Sequence, residues 1–325
     1  MFCSKRSAKS VTVAALVLLV VVIAIPTHTI AASSNAVTIN QTQSGLVKAD
    51  SLTSGNLSYW RLYGDAVGEN APYKYSENSS GLQIGVQAAT AGTWAGFFAK
   101  SQNTTAQLFQ AAITLPYTST PGGYFNTGLY VQTSSGDINF VFCGTSVSTG
   151  GYSWRVESAT GTHDSATQVT TLWAQDGGPL TQDCTVVTNG SNMLSVYLGS
   201  QLVYSSSSLD LQMSEPFNAF LEVESTYSGS MLFGTYADYS ATTTGSVTVQ
   251  DAPPGDIAEI TDSSGTVLSS STVGANGSAV MDVGSYQLPI TGNVEVYDSS
   301  DALVASTSSA ASIYGGDIYT VGSSP

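Results

Sequence analysis

Apolar and polar residues alternate most clearly in residues 181–206, TQDCTVVTNGSNMLSVYLGSQLVYSS. The alternation predicts three strands, Cys184–Thr188, Met193–Leu198 and Gln201–Ser205. Between these strands lie Asn189-Gly190 and Gly199-Ser200, which are typical of two-residue turns. In the middle strand Leu194, Val196 and Leu198 share one face, so we expect that face to be buried.

Short β-rich runs, separated by Gly, Pro, Asn and Ser clusters, continue over most of the chain. The other strands predicted before residue 241 are Leu46–Ala49, Tyr59–Tyr63, Leu82–Val86, Trp94–Ala99, Leu108–Leu115, Phe125–Gln132, Ile138–Cys143, Tyr152–Val156, Val169–Trp173, Phe217–Glu224 and Met231–Tyr239. A helical turn is predicted only at Gln102–Leu108. So many short strands in about 200 residues predict a large sandwich or barrel.

A second β region is predicted after the run Ala241–Gly245, where the strands become shorter. They are Gly245–Gln250, Ile257–Thr261, Thr266–Ser270, Ala279–Val283, Val294–Tyr297 and Leu303–Ser306. The predicted domains therefore span 36–241 and 245–322.

Two segments resemble known β domains. The run LSVYLGSQLVYSS resembles the strand-turn-strand of laminin-G-like and concanavalin A-like sandwiches. The run EITDSSGTVLSSSTVGANGSAVMDV is similar to carboxypeptidase regulatory-like and PEGA-like modules, which are usually spacers or adhesive appendages. The resemblances imply an all-β protein, with a large jelly-roll sandwich followed by a small prealbumin-like or immunoglobulin-like sandwich.

The N-terminal 32 residues have the layout of a secretory signal peptide. Three basic residues precede the apolar run Val11–Ile25, and the small residues Ala31 and Ala32 follow it. An uncleaved anchor is the alternative, although 15 residues span only about 22 Å of a ~30 Å hydrocarbon core. Either reading predicts a secreted or surface-attached protein that meets a membrane only through this segment.

The chain is strongly acidic, with a net charge of −15. Without the three basic residues of the N-terminal segment, five basic residues remain against 23 acidic ones, which gives −18. Such a surface repels nucleic acids and anionic lipids, so neither is expected as a partner.

Cysteine usage agrees with export. Cys143 and Cys184 remain once the segment containing Cys3 is removed. A disulfide between two neighbouring strands would close a loop of about 40 residues and stabilise the fold by about 3–4 kcal/mol. Two buried free thiols are the alternative.

Few residues offer catalytic or metal chemistry. The sequence has no HExxH, CxxC or GxSxG motif, and His163, beside Asp164, is read as a loop histidine. The turns at Asp262 and Asp298–Asp301 are read as hairpin turns, with structural calcium as the alternative. No cofactor is predicted.

Glu222 and Glu224 are the remaining catalytic candidates. They are two residues apart in PFNAFLEVES, so both point to one face of a strand. Retaining glycosidases hold two carboxyl groups about 5–5.5 Å apart, a distance that such a pair approaches. Concanavalin A-like glycoside hydrolases often carry an ExDxxE motif, but the run Glu222–Tyr227 lacks its aspartate and its last glutamate. Solvated strand residues and binding residues are therefore the alternatives.

Alternation also predicts a binding surface on one sheet face. Its members are Tyr130, Gln132, Asn139, Arg155, Glu222 and Glu224. This prediction places Phe140 and Phe142 in the core, together with Trp94 and Trp154. Aromatic faces and polar side chains of this kind recognise sugars.

We therefore predict a non-catalytic extracellular recognition protein that binds a glycan or a cell-surface or matrix component. A secreted hydrolase, either a glycosidase or an acid carboxylate peptidase, is one alternative, and a structural envelope component is the other. Asn-x-Ser/Thr sequons predict glycosylation at Asn40, Asn56, Asn78, Asn103, Asn189 and Asn276.

Overall fold

The computed structural model describes residues 36–64, 71–133, 139–160 and 168–322, and every regular element in these ranges is a β-strand. The prediction of an all-β protein is therefore confirmed. The predicted helical turn at Gln102–Leu108 is wrong, because Thr104 forms a β-bridge with Phe217 and a strand begins at Leu108. Within these ranges no helix has the length and apolar character needed to cross a membrane.

Seven antiparallel strands form what we call the front sheet. In spatial order they are β11 (Gln168–Asp176), β10 (Gly151–Thr160), β9 (Phe140–Ser148), β8 (Phe125–Thr133), β15 (Phe217–Ser225), β6 (Ala95–Ser101) and β3 (Trp60–Gly64). The order shows that β15 is inserted between β8 and β6, so segments far apart in sequence meet at the centre of the sheet.

Eight strands form the back sheet. In spatial order they are β14 (Gln201–Ser206), β13 (Leu194–Leu198), β12 (Thr181–Thr188), β7 (Leu108–Thr114), β16 (Leu232–Thr242), β5 (Gly81–Val86) and β4 (Tyr73–Asn78), and β2 (Leu46–Asp50) pairs with the end of β16. The segment 181–206 forms three of these strands, as predicted. Its first connection is longer than a two-residue turn, and the Asn189 side chain accepts three backbone hydrogen bonds within it.

The front and back sheets stack to form a concanavalin A-like jelly-roll sandwich, which confirms the predicted fold class. Alternate residues of each strand enter the space between the sheets. Leu221 and Val223 from the front sheet share one core with Phe109, Val196 and Tyr236 from the back sheet. The opposite face of the front sheet points away from this core.

A disulfide joins Cys143 to Cys184, with their Cα atoms 5.9 Å apart. Cys143 lies on β9 of the front sheet and Cys184 on β12 of the back sheet. The bridge therefore crosses the sandwich core, whereas we expected it to link two neighbouring strands. It ties together the two layers that enclose the core.

Nine further strands form a third sheet. In spatial order they are β19 (Val267–Thr272), β18 (Ile257–Asp262), β21 (Ile290–Tyr297), β22 (Leu303–Thr307), β1 (Val37–Gln43), β24 (Ile318–Val321), β17 (Ser246–Gln250) and β20 (Ala279–Asp282), and β23 (Ala311–Ile313) pairs with β21. The edge strands β19 and β20 contact each other, so the sheet folds around its own core. Sequence reasoning missed β1, β23 and β24 in this sheet and β4 in the back sheet. The predicted domain bounds and the likeness to PEGA-like modules remain predictions.

Polar contacts connect the sandwich to the third sheet. The buried side chain of Gln110 on β7 accepts a hydrogen bond from Leu288 N at 2.9 Å and donates one to Tyr286 O at 3.0 Å. Asp317, which is fully buried beside β24, accepts one from Gly45 N at 2.8 Å. These contacts hold the two β regions together through buried groups that have partners on both sides.

Candidate functional site

The outer face of β15 presents two carboxylates at the centre of the front sheet. Ala219, Leu221 and Val223 point into the core, so Glu222 and Glu224 point outward, as the alternation predicts. Their Cα atoms are about 6.6 Å apart, because one strand residue rises about 3.3 Å. Glu222 is only 8% exposed, whereas Glu224 is more open.

A pocket of about 460 Å³ opens over this face. Its lining residues are Trp94, Tyr124, Asn126, Tyr130, Phe140, Ser146, Arg155, Glu157, Val169 and Glu224. Five strands contribute to it, since the residues come from β8 to β11 and β15 or lie just before one of the strands. We call this cavity the carboxylate pocket.

Glu224 is held by two donors from β8. Asn126 Nδ2 lies 3.2 Å from Glu224 Oε2, and the Tyr130 hydroxyl lies 3.4 Å from the same oxygen. Both partners donate, so Oε2 acts as an acceptor in a fixed orientation. Burial raises the pKa of Tyr130 well above its ordinary value, and the negative charges of Glu224, Glu222 and Glu157 raise it further. Tyr130 is therefore a neutral donor that lies close to all three carboxylates.

The opposite side of the carboxylate pocket carries an ion pair from β10. Arg155 Nη1 lies 3.4 Å from Glu157 Oε1, and Thr171 Oγ1 lies 3.4 Å from the same oxygen. Arg155 Nε also donates to Ser153 Oγ at 2.8 Å. The guanidinium is thereby fixed while still lining the pocket.

Two aromatic rings form the rim. Trp94 and Tyr124 are stacked with centroids 6.4 Å apart and planes 28° from parallel, and they are 41% and 55% exposed. The prediction that Trp94 lies in the core is wrong, because it stands just before β6, where Ala95 takes the first inward position. Trp154 is in the core as expected, and its Nε1 donates to Pro179 O at 2.9 Å.

The side-chain directions on β9 are the reverse of those predicted. Val141 and Cys143 enter the sandwich core, whereas Phe140 and Phe142 lie on the outer face against Tyr130. Phe98 and Phe220 complete this aromatic cluster beside Glu222 and Glu224. The strand is apolar on both faces, so alternation cannot orient it.

Two strand glycines make room for the aromatic cluster. A Cβ on Gly128 would lie 2.1 Å from Phe142 Cε2, and one on Gly144 would lie 2.7 Å from Phe142 Cζ. Both glycines are in register with Glu222, on β8 and on β9. Glycine inside a strand often marks such a close approach, so these two glycines are the sequence signal for the aromatic cluster.

The remaining predicted binding residues, Gln132, Asn139 and Glu222, lie outside the lining of the carboxylate pocket, and Glu222 is next to it on β15. Gln132 is on the outer face of β8 but is paired in register with Asn218 and Phe140, nearer the end of the strand. Asn139 does not face outward as expected. It is 4% exposed, and its Nδ2 donates to Gln212 O at 2.8 Å. The predicted binding surface lacks three residues that line the pocket, Tyr124, Asn126 and Glu157. Alternation does place Asn126 and Glu157 on the outer face.

No group of three or more His, Cys, Asp or Glu side chains in the described ranges is arranged to hold a metal ion. Asp262 and Asp298 instead organise their own turns by accepting hydrogen bonds from Ser264 and Ser300. His163 and Asp164 lie outside the described residues, as does the N-terminal segment.

The predicted glycosylation sites are mostly accessible. Asn40, Asn56, Asn78, Asn103 and Asn276 are exposed, whereas Asn189 is half-buried. Their glycosylation remains a prediction.

Another pocket, of about 440 Å³, lies between β2, β16 and residues 287–289. Its acidic residues include Asp50, which is paired with Lys48 at 3.9 Å and accepts a hydrogen bond from Trp60 Nε1 at 3.2 Å. Since Asp50 already stabilises the fold and no exposed aromatic ring lines this pocket, the carboxylate pocket is the better candidate site.

No protein family and no curated protein matches the sequence. Several solved structures are similar in fold. A Bacteroides ovatus glycoside hydrolase family 16 endo-glucanase is 10% identical, covers 60% of this chain and 99% of its own, and has a TM-score of 0.42. The Bacillus licheniformis beta-glucanase is 11% identical, covers 62% and 99%, and has a TM-score of 0.42. The cellulose-induced protein Cip1 is 12% identical, covers 61% and 97%, and has a TM-score of 0.38.

The prediction of a non-catalytic recognition protein is corrected in favour of its hydrolase alternative, since two of these similar folds are named as glucanases. The prediction that the chain is more likely not an enzyme is corrected for the same reason. At these identities and TM-scores the likeness concerns the fold alone. The activity has to be argued from the pocket itself.

Proposed function

We propose that this protein hydrolyses glycosidic bonds in the carboxylate pocket. The observation that carries the proposal is the pair Glu222 and Glu224 on one face of β15, with Glu224 lining a pocket that has an aromatic rim. Glycoside hydrolysis needs two carboxyl groups, one to protonate the leaving oxygen and one to attack the sugar or activate water. An exposed pair of stacked rings supplies the apolar surface on which a sugar ring packs.

The contacts support different roles for the two glutamates. Glu224 accepts hydrogen bonds from Asn126 and Tyr130, which orients it as the anionic partner. Glu222 is less exposed than Glu224 and lies beside Phe98 of the aromatic cluster. Because an apolar environment favours the protonated form of a carboxyl, we assign Glu222 the role of proton donor. Tyr130 keeps its proton and can hold Glu224 in place throughout the reaction.

The cellular setting follows from the sequence. The predicted export segment and the disulfide between Cys143 and Cys184 support a reaction outside the cytoplasm. The substrate would be a glycan met in that setting.

Turnover of polysaccharides tests the proposal. The purified protein is incubated at pH 3 to 7 with β-glucan, xylan, chitosan and pectin, and new reducing ends are measured. We expect one of these polymers to be cleaved, with Glu224→Gln and Glu222→Gln each losing at least 100-fold in rate. Glu215→Gln, at an exposed position outside the pocket, is the matched control and should keep full activity.

Three outcomes would overturn the proposal. The first is that none of the polymers gains reducing ends, and the second is that turnover survives in both glutamate variants. The third is that denatured protein gains new amino termini while the glycans remain intact, which would assign peptide hydrolysis to the same carboxylates.

A further inference from the structure

A second depression adjoins the carboxylate pocket. It has a volume of about 310 Å³ and lies along the hairpin that joins β9 to β10. Tyr124, Ser146 and Arg155 line both cavities. The two cavities are therefore parts of one groove, which runs across the outer face of the front sheet.

The lining of this second depression is mostly polar, whereas the lining of the carboxylate pocket includes several aromatic rings. Its lining includes Ser148, Ser153, Asp176 and Tyr152. Serine hydroxyls donate and accept hydrogen bonds and a carboxylate accepts them, which matches the hydroxyl groups of a sugar. The Tyr152 hydroxyl donates to Gly178 O at 2.5 Å, which fixes that wall.

Arg155 connects the two cavities. Its Nε donates to Ser153 Oγ in the second depression, while its Nη1 pairs with Glu157 in the carboxylate pocket. A guanidinium held from both sides can donate to ligand groups on either side of it. One fixed residue can thus contact two consecutive units of a chain.

The charge of the groove restricts what it can bind. Glu157, Glu224 and Asp176 line the two cavities, against Arg155 as the basic residue of the two linings. The carboxylates of the groove repel a ligand that is rich in carboxylate or sulfate groups. Neutral sugars and amino sugars meet no such repulsion.

We propose that the second depression is a subsite for the neighbouring units of a linear glycan made of neutral or amino sugars. The inference rests on the proposed function and adds to it the length and the charge of the substrate. The enzyme then acts on chains, with the reacting unit between Trp94 and Glu224 and the next units along Ser148 and Asp176.

Gly150 provides a way to block this subsite. Its φ is not in the left-handed region, and a Cβ built on it would approach nothing closer than Ser148 Oγ at 3.8 Å. Gly150→Trp can therefore fill the depression without forcing the backbone to move. Ala310→Trp, at an exposed turn of the third sheet, is the matched control.

Binding of defined oligosaccharides tests the inference separately from turnover. Neutral gluco-oligosaccharides and chito-oligosaccharides of two to six units, and oligogalacturonides of the same lengths, are titrated by calorimetry into Glu224→Gln, alone and combined with Gly150→Trp or Ala310→Trp. If Glu224→Gln does not fold, thio-linked oligosaccharides are titrated into the wild type and the single tryptophan variants. Affinity for one uncharged series should rise at least tenfold from two to four units, and Gly150→Trp alone should remove that rise.

The outcomes separate the two proposals. An affinity that is independent of length, a rise that survives Gly150→Trp, tighter binding of oligogalacturonides, or binding of none of the series would overturn the subsite. If the length dependence is found but the wild type cleaves none of the oligosaccharides, the subsite stands and the proposed hydrolysis fails.

Discussion

The hydroxyl of Tyr236 lies 2.5 Å from the backbone carbonyl oxygen of Glu222. Tyr236 belongs to the back sheet and is fully buried, so its ring crosses the sandwich core to reach the strand that carries both candidate carboxylates. The same hydroxyl contacts Thr127 Oγ1 at 2.7 Å. Thr127 is the neighbour of Gly128, which is in register with Glu222.

Tyr236→Phe should slow the proposed reaction without weakening substrate binding. Removal of the hydroxyl frees the backbone at Glu222 to shift, and a misplacement of about 1 Å can cost up to about 100-fold in rate. We therefore expect kcat to fall about 10- to 100-fold while KM stays within twofold. Steady-state kinetics on the cleaved polymer measures both values.

Tyr239→Phe is the matched control. Tyr239 lies on the same strand and is equally buried, but it packs on Trp60 and Tyr59 rather than on β15. Both variants lose a buried hydroxyl, but the hydroxyl of Tyr236 is hydrogen-bonded to β15 and that of Tyr239 is not. Equal losses of kcat in the two would therefore show that the contact between Tyr236 and β15 does not set the rate.

Strand orientations in the sandwich could be predicted where one face of the strand is uniformly apolar and the other carries polar side chains. On β15 the alternation of Ala219, Leu221 and Val223 with Glu222 and Glu224 leaves one possible orientation. The carboxylate pair, Tyr130 and Arg155 were therefore found from sequence.

The rest of the site could not be predicted, for physical reasons. Phe140 and Phe142 alternate with Val141 and Cys143, so both faces of β9 are apolar and neither orientation is favoured. The stacking of Trp94 on Tyr124 joins residues that immediately precede different strands, β6 and β8, and only the tertiary pairing brings them together. The position of β1 in the third sheet depends on pairing with strands more than 250 residues later in the chain.

The aromatic rim should contribute to substrate affinity rather than to the rate of bond cleavage. Tyr124→Ala removes one of the two stacked rings, and we expect KM to rise about tenfold, equivalent to about 1.4 kcal/mol, with kcat within twofold. Tyr73→Ala is the control, because Tyr73 is equally exposed at 55% but lies on the edge strand of the back sheet. A KM that is unchanged in Tyr124→Ala, or raised as much in Tyr73→Ala, would remove the rim from the binding surface.

The disulfide should account for a large share of the stability of the sandwich. It joins residues 41 positions apart and connects the front sheet to the back sheet. Replacing both Cys143 and Cys184 by alanine should lower the free energy of unfolding by about 3–4 kcal/mol, because the unfolded chain is no longer constrained. Guanidinium chloride unfolding of the variant, and of the wild type with and without reductant, measures the change. A loss below 1 kcal/mol in both comparisons would mean that the bridge adds little to the core packing.

The stability of the protein should increase as the pH falls from 7.5 toward 4. Burial raises the pKa of Asp183, with a further contribution from the charge of Asp238, and burial also raises the pKa of Asp317. A carboxyl whose pKa is higher in the folded state than in the unfolded state binds its proton more tightly when folded. The ordinary pKa of such a carboxyl is near 4. As the pH rises from there through the higher folded-state pKa, the folded protein must carry an unfavourable charge, and its free energy of unfolding falls.

Asp183→Asn should remove part of this pH dependence. The variant cannot ionise, so we expect it to be more stable than the wild type at pH 7.5 and to differ less from it at pH 4. Asp301→Asn, at an exposed turn, should leave the dependence unchanged. Urea unfolding at pH 4, 5, 6 and 7.5 gives the free energy for all three proteins. A wild type that loses stability as the pH falls from 7.5 toward 4, or an Asp183→Asn profile parallel to that of the wild type, would show that buried carboxylates do not set the pH response. The turn aspartates Asp262 and Asp298 act in the opposite direction, because their pKa values are lowered, but they lose their contribution only near pH 4 and below.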